Sequence, residues 1–354
     1  MKSVFLEIGT DSTVVKFVLK DSIKEPVPEK NDVLVQVKAC ALSPINVKVI
    51  TEVFQKNPRQ QYPVGHGVSG VVTVVGSNVS SVKVGQEVVG IVSLDSHYSG
   101  CAEFTVFQEH DVVKKPDMLS FEDAAGLLGD AVKAYTALHY SAHICGGDTV
   151  LVVDGATPFG TVCIQLAQHW GAKVLATSST QAEKDYLNSF QPPLAHVVDL
   201  GHKSNMLVSS VMEETGGLGV DCFIDNGVRL FNTEEDITSM GERYKYPVPH
   251  KNDVISCLAV GSRWVTGQMS LQLDPPNSQQ LFLRGANICF LFDQIWTLSR
   301  AQHGRYQHIL QDAAEKIDRG LIKVKIAQTV SLDNAVQVLQ KLNDFRIGKV
   351  VVKP

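Results

Sequence analysis

The sequence predicts an α/β protein that combines a β-rich region with a doubly wound parallel sheet. Short runs of alternating or β-branched residues, bounded by glycine, occupy the first part of the chain. Strand and helix patterns alternate from residue 149 onward, which is typical of a parallel sheet covered by helices. The length of 354 residues suits two domains, since domains usually hold roughly 100–200 residues.

The β-rich region contains three well-marked strands. Residues 32–39 alternate apolar and polar side chains with the period of two that a half-buried strand shows. Residues 70–76 and 87–92 are rich in valine and contain glycine. Short strands at this spacing predict a partly open barrel or a sandwich.

The second region begins with a helix and a buried strand. Ser120 can cap a helix whose first turn holds Glu122 and Asp123, and the pattern continues to residue 143. Residues 149–153 form a continuous apolar run, as expected for a strand buried on both faces. Further helices are predicted at 160–170, 184–190, 204–215, 306–318 and 333–343, and further strands at 172–177, 197–200, 220–225, 254–260 and 349–352.

Two segments have no clear helix or strand pattern. Residues 229–249 are acidic and then rich in tyrosine and proline, and residues 267–280 contain Pro275-Pro276. Polar, proline-containing runs have few apolar groups to bury, so both segments are predicted to be surface insertions.

Composition excludes several classes of function. The net charge is −5 and no run of five Lys or Arg occurs, which argues against nucleic-acid binding. No stretch approaches the roughly 20 apolar residues of a membrane helix, and the first residues lack a signal-peptide pattern. The seven cysteines are spread singly, with no C-x-x-C, so free thiols in a cytoplasmic protein are expected.

The turn after the first parallel strand is the expected nucleotide site. In residues 153–160, Gly155 and Gly160 match the first and third glycines of a dinucleotide-binding turn. Thr157 takes the place of the middle glycine, and Pro158 lacks an N–H donor. The turn therefore predicts a nucleotide site of reduced affinity, and a strand–helix connection without a ligand remains the alternative.

The end of the next strand indicates the type of cofactor. NAD-binding proteins place an acid there for the ribose 2′-hydroxyl, but this chain has Ser178 and Ser179, with Lys184 nearby and no acid before Glu183. Hydroxyls beside a lysine favour a 2′-phosphate, so NADP(H) is the predicted cofactor. A helix cap formed by these hydroxyls is the alternative.

Metal chemistry has little support in the sequence. Gly65-His66-Gly67 offers one candidate ligand, whereas a metal site needs three or four that converge. No Cys or His pair with ligand spacing accompanies His66, so it is predicted to be a structural histidine.

Five segments are each a weak family signal, but together they are specific. These segments are 27–46, 63–90, 134–152, 219–225 and 348–351. They resemble the medium-chain dehydrogenase/reductases, in particular the zinc-free quinone oxidoreductase (zeta-crystallin-like) branch, over nearly the whole chain. The resemblance implies a GroES-like catalytic domain formed by residues 1–123 and 294–354, and a Rossmann NADP(H)-binding domain at 124–293. It also implies hydride transfer to quinones or activated alkenes, and pairing of two copies through the strand at 286–292.

The chain departs from the family pattern at several positions that matter. Ser43 replaces the family's Asn, Asn46 replaces its Asp, and Lys133 replaces the Thr beside the nicotinamide. These three residues are candidates to line the substrate cleft, with no catalytic role assigned. The zinc branch's ligand positions correspond to Ser43, His66 and Gly129, so no zinc is expected. The predicted cofactor-binding residues are Gly155, Ala156, Thr157, Phe159, Gly160, Ser178, Ser179, Lys184 and Gly261.

Two functions follow from these observations. The first is a zinc-independent, NADPH-dependent reductase of quinones or activated alkenes. The second is a catalytically weakened family member that acts as a binding or scaffold subunit, with a protein partner at the 229–249 insertion. The altered nucleotide turn motivates the second function, and a plain solvated loop is the alternative for the insertion.

Overall fold

A computed structural model of the 354-residue chain describes residues 1–9, 15–200, 206–231 and 246–354. Its contacts divide the chain into two compact units. Unit 1 consists of Met1–Val132 and Asp293–Pro354, and unit 2 consists of Lys133–Phe292. No helix within the described residues is long and apolar enough to cross a membrane.

The strands in chain order are β1 (Ser3–Ile8), β2 (Val15–Lys20), β3 (Asp32–Leu42), β4 (Gln61–Pro63), β5 (Gly67–Val75), β6 (Glu87–Ile91), β7 (Phe104–Gln108), β8 (Val112–Lys114), β9 (Thr149–Val152), β10 (Lys173–Ser178), β11 (His196–Asp199), β12 (Val220–Asp225), β13 (Leu258–Thr266), β14 (Asn287–Phe290), β15 (Ile326–Ser331) and β16 (Lys349–Lys353). The helices are α1 (Val47–Val53), α2 (Phe121–Tyr135), α3 (Pro158–His169), α4 (Gln181–Asn188), α5 (Met206–Glu214), α6 (Lys251–Cys257), α7 (Pro275–Arg284), α8 (Ile295–Leu298), α9 (His303–Asp318) and α10 (Ala335–Leu339).

Unit 1 is built on two sheets. The larger sheet has the order β15-β16-β3-β5-β6-β8, with β7 also paired to β3. All its pairs are antiparallel except the parallel pair of β15 and β16. The smaller sheet has the order β2-β1-β4. Strand β16 brings the end of the chain beside β3, with Val350 opposite Leu42.

Unit 2 contains a six-stranded sheet in which every strand pair is parallel. Its order is β11-β10-β9-β12-β13-β14, the 3-2-1-4-5-6 order of dinucleotide-binding sheets. Leu151, Phe223 and Trp264 are fully buried within its core. The strand order reverses between β9 and β12, and ligands of such sheets bind outside the strand ends at that point. The predicted doubly wound sheet is therefore confirmed.

Two secondary-structure predictions were wrong. The helix expected to reach residue 143 is instead confirmed as far as Ser141, as an α-helix to Tyr135 and a π-helical segment over Thr136–Ser141. Residues 254–260 do not form one strand, because His250 caps α6 and β13 begins only at Leu258. Residues 267–280 are not a plain insertion, since Pro275 opens α7, a position where proline's missing N–H costs nothing.

The 229–249 segment lies largely outside the described residues, which omit 232–245. Its described ends come together, because the N–H of Arg229 donates to the carbonyl of Pro249 over 2.9 Å. The partner surface expected on this insertion therefore lies, over residues 232–245, outside what the structure describes.

Candidate functional site

The turn between β9 and α3 is held by a network of backbone and hydroxyl contacts. Asp154 has a positive φ of 55°, and its N–H donates to the Thr177 hydroxyl on β10 over 2.9 Å. The N–H of Gly155 donates to the Thr177 carbonyl over 3.1 Å. The turn is thus fixed to the neighbouring strand as well as to its own helix.

Both glycines of this turn are required by close packing. A Cβ on Gly155 would lie 2.7 Å from the Cβ of Ala176, and one on Gly160 would lie 2.5 Å from the Asp154 carbonyl oxygen. Real Cβ atoms do not approach so closely, because hard-sphere repulsion rises steeply there. Gly155 and Gly160 therefore let the turn, the helix and the next strand pack tightly, whether or not a ligand is bound.

The N-terminus of α3 is capped by Thr157. The Thr157 hydroxyl accepts the N–H of Gly160 over 3.2 Å and donates to the Asp154 carbonyl over 2.7 Å. Pro158, the first helical residue, has no N–H. Phosphate binding at a helix N-terminus relies on free N–H groups, so this turn offers fewer donors than a glycine-rich one.

Unpaired hydroxyls lie at the end of β10. Ser178 is fully buried, and within the described part of the chain neither its hydroxyl nor that of Ser179 has a hydrogen-bond partner. Thr180 caps α4, and the buried carboxylate of Glu183 accepts the N–H of Ser179 over 2.7 Å. Lys184 follows and forms no ion pair with a described residue. Buried hydroxyls normally find partners, so this edge has capacity to bind a polar ligand.

Lys133 lies at the point where the strand order reverses. Its ammonium donates to the side-chain oxygen of Asn226 over 2.8 Å and lies 4.4 Å from the ring centroid of Phe159. Asn226 follows β12, and Phe159 is in the first turn of the helix after β9. No described carboxylate pairs with Lys133. A positive charge without a counterion among the described residues therefore lies beside the carboxyl ends of β9 and β12.

Asp225 anchors the end of β12. Its carboxylate accepts hydrogen bonds from Trp264, Thr266 and the N–H of Gly227. Burial raises its pKa to about 6, although the three hydrogen bonds oppose that shift. Beyond β13, Gly267 packs so closely on Asn226 that a Cβ would lie 3.1 Å from its Cα. Sequence reasoning missed both Asn226 and Gly267. Asn226 directly follows the predicted strand 220–225, which was the available signal, whereas no predicted strand ends beside Gly267.

Most predicted cofactor residues are brought to one edge of the sheet. Eight of the nine lie at the carboxyl end of the strands or in the helix turns that follow, and Gly261 does not. Gly261 is exposed, has a φ of 71°, and lies in an irregularity near the amino end of β13. That end is opposite to the one where Gly155 lies, so Gly261 is not part of this group.

The two candidates in unit 1 have different roles. Asn46 caps α1, since its side chain accepts the N–H of Val49 over 3.4 Å. Ser43 directly follows β3, is partly exposed, and accepts a hydrogen bond from Lys349 over 2.8 Å. The side chain of Asn46 thus has a local structural role as a helix cap. Ser43 is the candidate that contacts the buried ammonium of Lys349.

His66 is held as a neutral histidine. Its Nδ1 lies 2.7 Å from the Val92 carbonyl oxygen, which assigns the ring proton to Nδ1. Burial lowers the pKa of His66. Among the residues the structure describes, no group of three or more His, Cys, Asp or Glu is placed to hold a metal ion.

Parallel-sheet geometry, a glycine turn at the strand reversal and a second β-rich unit define a dehydrogenase/reductase type of protein. Residues 29–117 match the alcohol dehydrogenase GroES-like domain. Quinone oxidoreductase-like protein 1 of Mus musculus is 42% identical over 354 residues, covering 99% of each chain. Human quinone oxidoreductase is 29% identical over 208 residues, covering 58% of this chain and 61% of that protein. The chain belongs to the quinone oxidoreductase family of medium-chain dehydrogenase/reductases, as the sequence motifs predicted.

Solved structures show the same fold. An alcohol dehydrogenase superfamily protein from Novosphingobium aromaticivorans matches all of both chains with a TM-score of 0.79 and 20% identity. A mycobacterial protein solved in complex with NADPH also matches all of both chains, with a TM-score of 0.77 and 23% identity. The predicted combination of a GroES-like sheet and a Rossmann-type sheet is therefore confirmed, and the family membership supports an oxidoreductase.

Proposed function

We propose that this chain is a zinc-independent, NADP(H)-dependent oxidoreductase that reduces quinones or activated alkenes by hydride transfer. The observation that carries the proposal is the strand reversal of unit 2, where the glycine turn and the ammonium of Lys133 lie together. Relatives named as quinone oxidoreductases support the reaction class. Such a cofactor supplies the hydride chemistry, so the protein need only bind, orient and shield the reactants.

The end of β10 favours NADP(H) over NAD(H). Two hydroxyls without partners, on Ser178 and Ser179, and the amine of Lys184 are groups that a 2′-phosphate can use. Glu183 does not compete as a ribose ligand, because its buried carboxylate is engaged by the N–H of Ser179. A structural neighbour solved with NADPH supports the same choice.

The experiment is a turnover assay with two classes of acceptor. Purified protein is mixed with NADPH and either 1,4-naphthoquinone or 2-cyclohexenone, and loss of nicotinamide absorbance is followed. We expect saturable NADPH consumption with at least one acceptor, and a much slower reaction with NADH. Rates equal to the protein-free background with both acceptors would contradict the proposed activity.

A second function is favoured by one observation in the same turn. Thr157 and Pro158 remove donors from the helix N-terminus, as expected of a family member whose cofactor binding has weakened. Such a protein would act as a binding or scaffold subunit, with the 229–249 segment as its candidate partner surface. Deleting 232–246 should then leave the melting temperature nearly unchanged, since Arg229 and Pro249 close the base of the segment. Loss of NADPH turnover on this deletion would count against a separate scaffold role.

Pairing of two copies through the 286–292 strand belongs to the same proposal. Strand β14 is the last strand of its sheet and pairs with β13. Phe290 on this strand is 59% exposed, and Ile288 is partly buried. An edge strand has unpaired backbone groups that can pair with the same strand of a second copy, and an exposed aromatic side chain could be buried on pairing. Phe290→Lys should convert a dimer to a monomer in light scattering, whereas an unchanged mass would exclude this strand.

We further propose a cytoplasmic location. All seven cysteines are free, which suits a reducing compartment. Fractionation of cells that make the protein would test this, and recovery in an organelle or membrane fraction would contradict it.

A further inference from the structure

The ammonium of Lys133 lies within unit 2, beside the first turn of α3. It is 4.4 Å from the ring centroid of Phe159 and donates to the side-chain oxygen of Asn226 over 2.8 Å. A lysine ammonium has three N–H donors, and Asn226 takes one of them. Lys133 is partly exposed, so the other two donors can serve a ligand.

Two rigid elements of unit 2 hold this ammonium in place. Phe159 is only 5% exposed, and its ring is fixed in the first turn of α3. A cation over the face of an aromatic ring is attracted by the negative charge of the π system. Asn226 directly follows β12, and Gly267 packs so closely on it that a Cβ would lie 3.1 Å from the Asn226 carbonyl oxygen. The long lysine side chain therefore has two fixed contacts near its charged end.

The turn between β9 and α3 uses its own N–H groups internally. The N–H of Thr157 donates to the Asp154 carbonyl over 3.0 Å, and the N–H of Gly160 donates to the Thr157 hydroxyl over 3.2 Å. Pro158 has no N–H. A phosphate at the start of a helix is normally bound by such N–H groups, together with about half a positive charge from the helix dipole. The donors that this turn lacks must come from another group if a phosphate binds here.

Lys133 lies where the missing donors are needed. Ligands of a doubly wound sheet bind outside the carboxyl ends of the strands, at the point where the strand order reverses. That point lies between β9 and β12. Lys133 contacts the first residue after β12 and the second residue of the helix that follows β9. A lysine ammonium is a common ligand of phosphate, to which it contributes a full positive charge.

We propose that Lys133 binds the pyrophosphate of NADP(H) in place of the N–H donors that the turn uses internally. Phe159 and Asn226 are the positioning residues, because they hold the ammonium at the strand reversal. This inference rests on the proposed function, since it names the residue that binds the pyrophosphate of the proposed cofactor. NADPH and NADH share the pyrophosphate and differ at the 2′ position. Lys133 therefore contributes equally to the affinity for both nucleotides, whereas Lys184 contributes to the choice between them.

The first test compares the dissociation constants of NADPH and NADH, measured by nucleotide fluorescence. Lys133→Met should raise both constants by roughly tenfold, the effect of losing one charge-assisted hydrogen bond. Lys173→Met is the matched control, since this lysine lies at the amino end of β10 and donates to the Glu214 carbonyl. It should leave both constants unchanged. A loss confined to NADPH would assign Lys133 to the 2′-phosphate and overturn the inference, as would unchanged constants for both nucleotides in Lys133→Met.

The second test restores the donors of the turn. Thr157→Gly with Pro158→Gly frees the N–H of Gly160 and adds one at position 158, so the pyrophosphate gains binding partners other than Lys133. Because groups that serve the same phosphate oxygens are not additive, Lys133→Met should raise the NADPH dissociation constant by only about threefold in this background. A loss as large as in the wild type would show that Lys133 and the turn act on different parts of the nucleotide, which would overturn the replacement.

Phe159→Leu tests the positioning of the ammonium. It should raise the NADPH dissociation constant about threefold and reduce its dependence on salt, with no further loss when Lys133→Met is also present. Phe223→Leu, on a fully buried ring of β12, is the control for lost packing and should lower the melting temperature without changing nucleotide binding. Additive losses from Phe159→Leu and Lys133→Met would contradict positioning through Lys133. If Phe159→Leu does not fold, the Lys133 variant with the two nucleotides decides.

Failure of this inference and failure of the proposed function give different results. If the wild type and the double glycine variant both bind neither nucleotide, the proposed function is removed, and the inference with it. A wild-type protein that binds NADPH no more tightly than the Lys133→Met variant overturns only the inference. Binding by the double glycine variant alone would also overturn it, since Lys133 of the wild type would then not replace the donors of the turn.

Discussion

The hydroxyl of Thr157 and the backbone N–H of Gly160 are joined by a 3.2 Å hydrogen bond at the start of α3. The same hydroxyl donates to the Asp154 carbonyl, so one side chain closes both the turn and the helix. In a glycine-rich turn the N–H groups at the start of the helix would face the pyrophosphate. Here the Thr157 hydroxyl accepts the N–H of Gly160, so a bound phosphate must be held by other donors.

Replacing Thr157 and Pro158 together by glycine should strengthen NADPH binding. The change frees the N–H of Gly160 and adds one N–H at position 158, which restores two donors. It also replaces a threonine cap and a proline by flexible glycines, which together should cost about 1 kcal/mol of stability. Fluorescence titration should show a lower dissociation constant beside a lower melting temperature.

Ser120→Ala is the control for that double variant, because Ser120 caps α2 by accepting the N–H of Asp123 over 3.0 Å. It should lower stability similarly and leave NADPH affinity unchanged. If the double glycine variant binds NADPH no better than the wild type, the turn is not what limits affinity.

Lys133→Met should weaken NADPH binding by roughly tenfold, the effect of losing one charge-assisted hydrogen bond. The lysine pairs with no described carboxylate and lies beside Phe159, so its charge is available to an anion at the strand reversal. Binding to the variant should also depend less on salt, because one screened charge is gone. Lys133→Arg keeps the charge and should retain most of the affinity; equal affinities and salt slopes in all three proteins would argue against this role.

Lys184→Ala should reduce the preference for NADPH over NADH. The ammonium of Lys184, at the start of α4, can form an ion pair with a 2′-phosphate. Its interaction with a neutral 2′-hydroxyl would be weaker. We expect NADPH affinity to fall by about an order of magnitude, with NADH affinity nearly constant. Lys173→Ala is the control, since that lysine lies at the opposite end of β10 and donates to the Glu214 carbonyl. Parallel losses for both nucleotides would place the 2′-phosphate elsewhere.

Asp111→Asn should stabilise the protein at high pH. Burial, with a smaller contribution from Asp95, raises the pKa of Asp111 to about 7. The folded state therefore binds this proton more tightly than the unfolded state. The contribution of the protonated Asp111 carboxyl to the free energy of unfolding is fully present below pH 4 and is lost as the pH rises to about 7.

The Asn variant stays neutral at every pH. Its melting temperature should exceed the wild type by several degrees at pH 8 and match it near pH 4. Asp117→Asn, on an exposed carboxylate paired with Lys114, should change little. A wild-type stability profile that does not fall between pH 4 and 7, or an Asn variant with the same profile, would contradict the raised pKa.

The first strand of the parallel sheet and its glycine turn could be predicted because they depend on local patterns. The apolar run at 149–153 and the glycines at 155 and 160 mark the first strand and its turn without any knowledge of the rest of the chain. Residues 251–260 could not be divided correctly, since a short apolar run suits a buried helix and a buried strand equally. The cap formed by His250 decides between them.

The ion pair of Lys349 with Asp130 was not predictable. The two residues are 219 positions apart, and only the pairing of β16 with β3 and the packing of α2 bring them together. Gly261, one of the predicted cofactor residues, lies near the amino end of β13, away from the strand ends that carry Gly155. Residue type suggests chemistry, but the direction of the strand decides which end of the sheet carries it.

The most direct test of the account is a titration of the wild-type protein with NADPH, followed by nucleotide fluorescence and by melting temperature. We expect a saturable fluorescence change and a rising melting temperature, since ligand at 100 times its dissociation constant adds about 2.7 kcal/mol of stability. No change in either signal at millimolar NADPH would contradict the claim that this chain is an NADP(H)-dependent oxidoreductase.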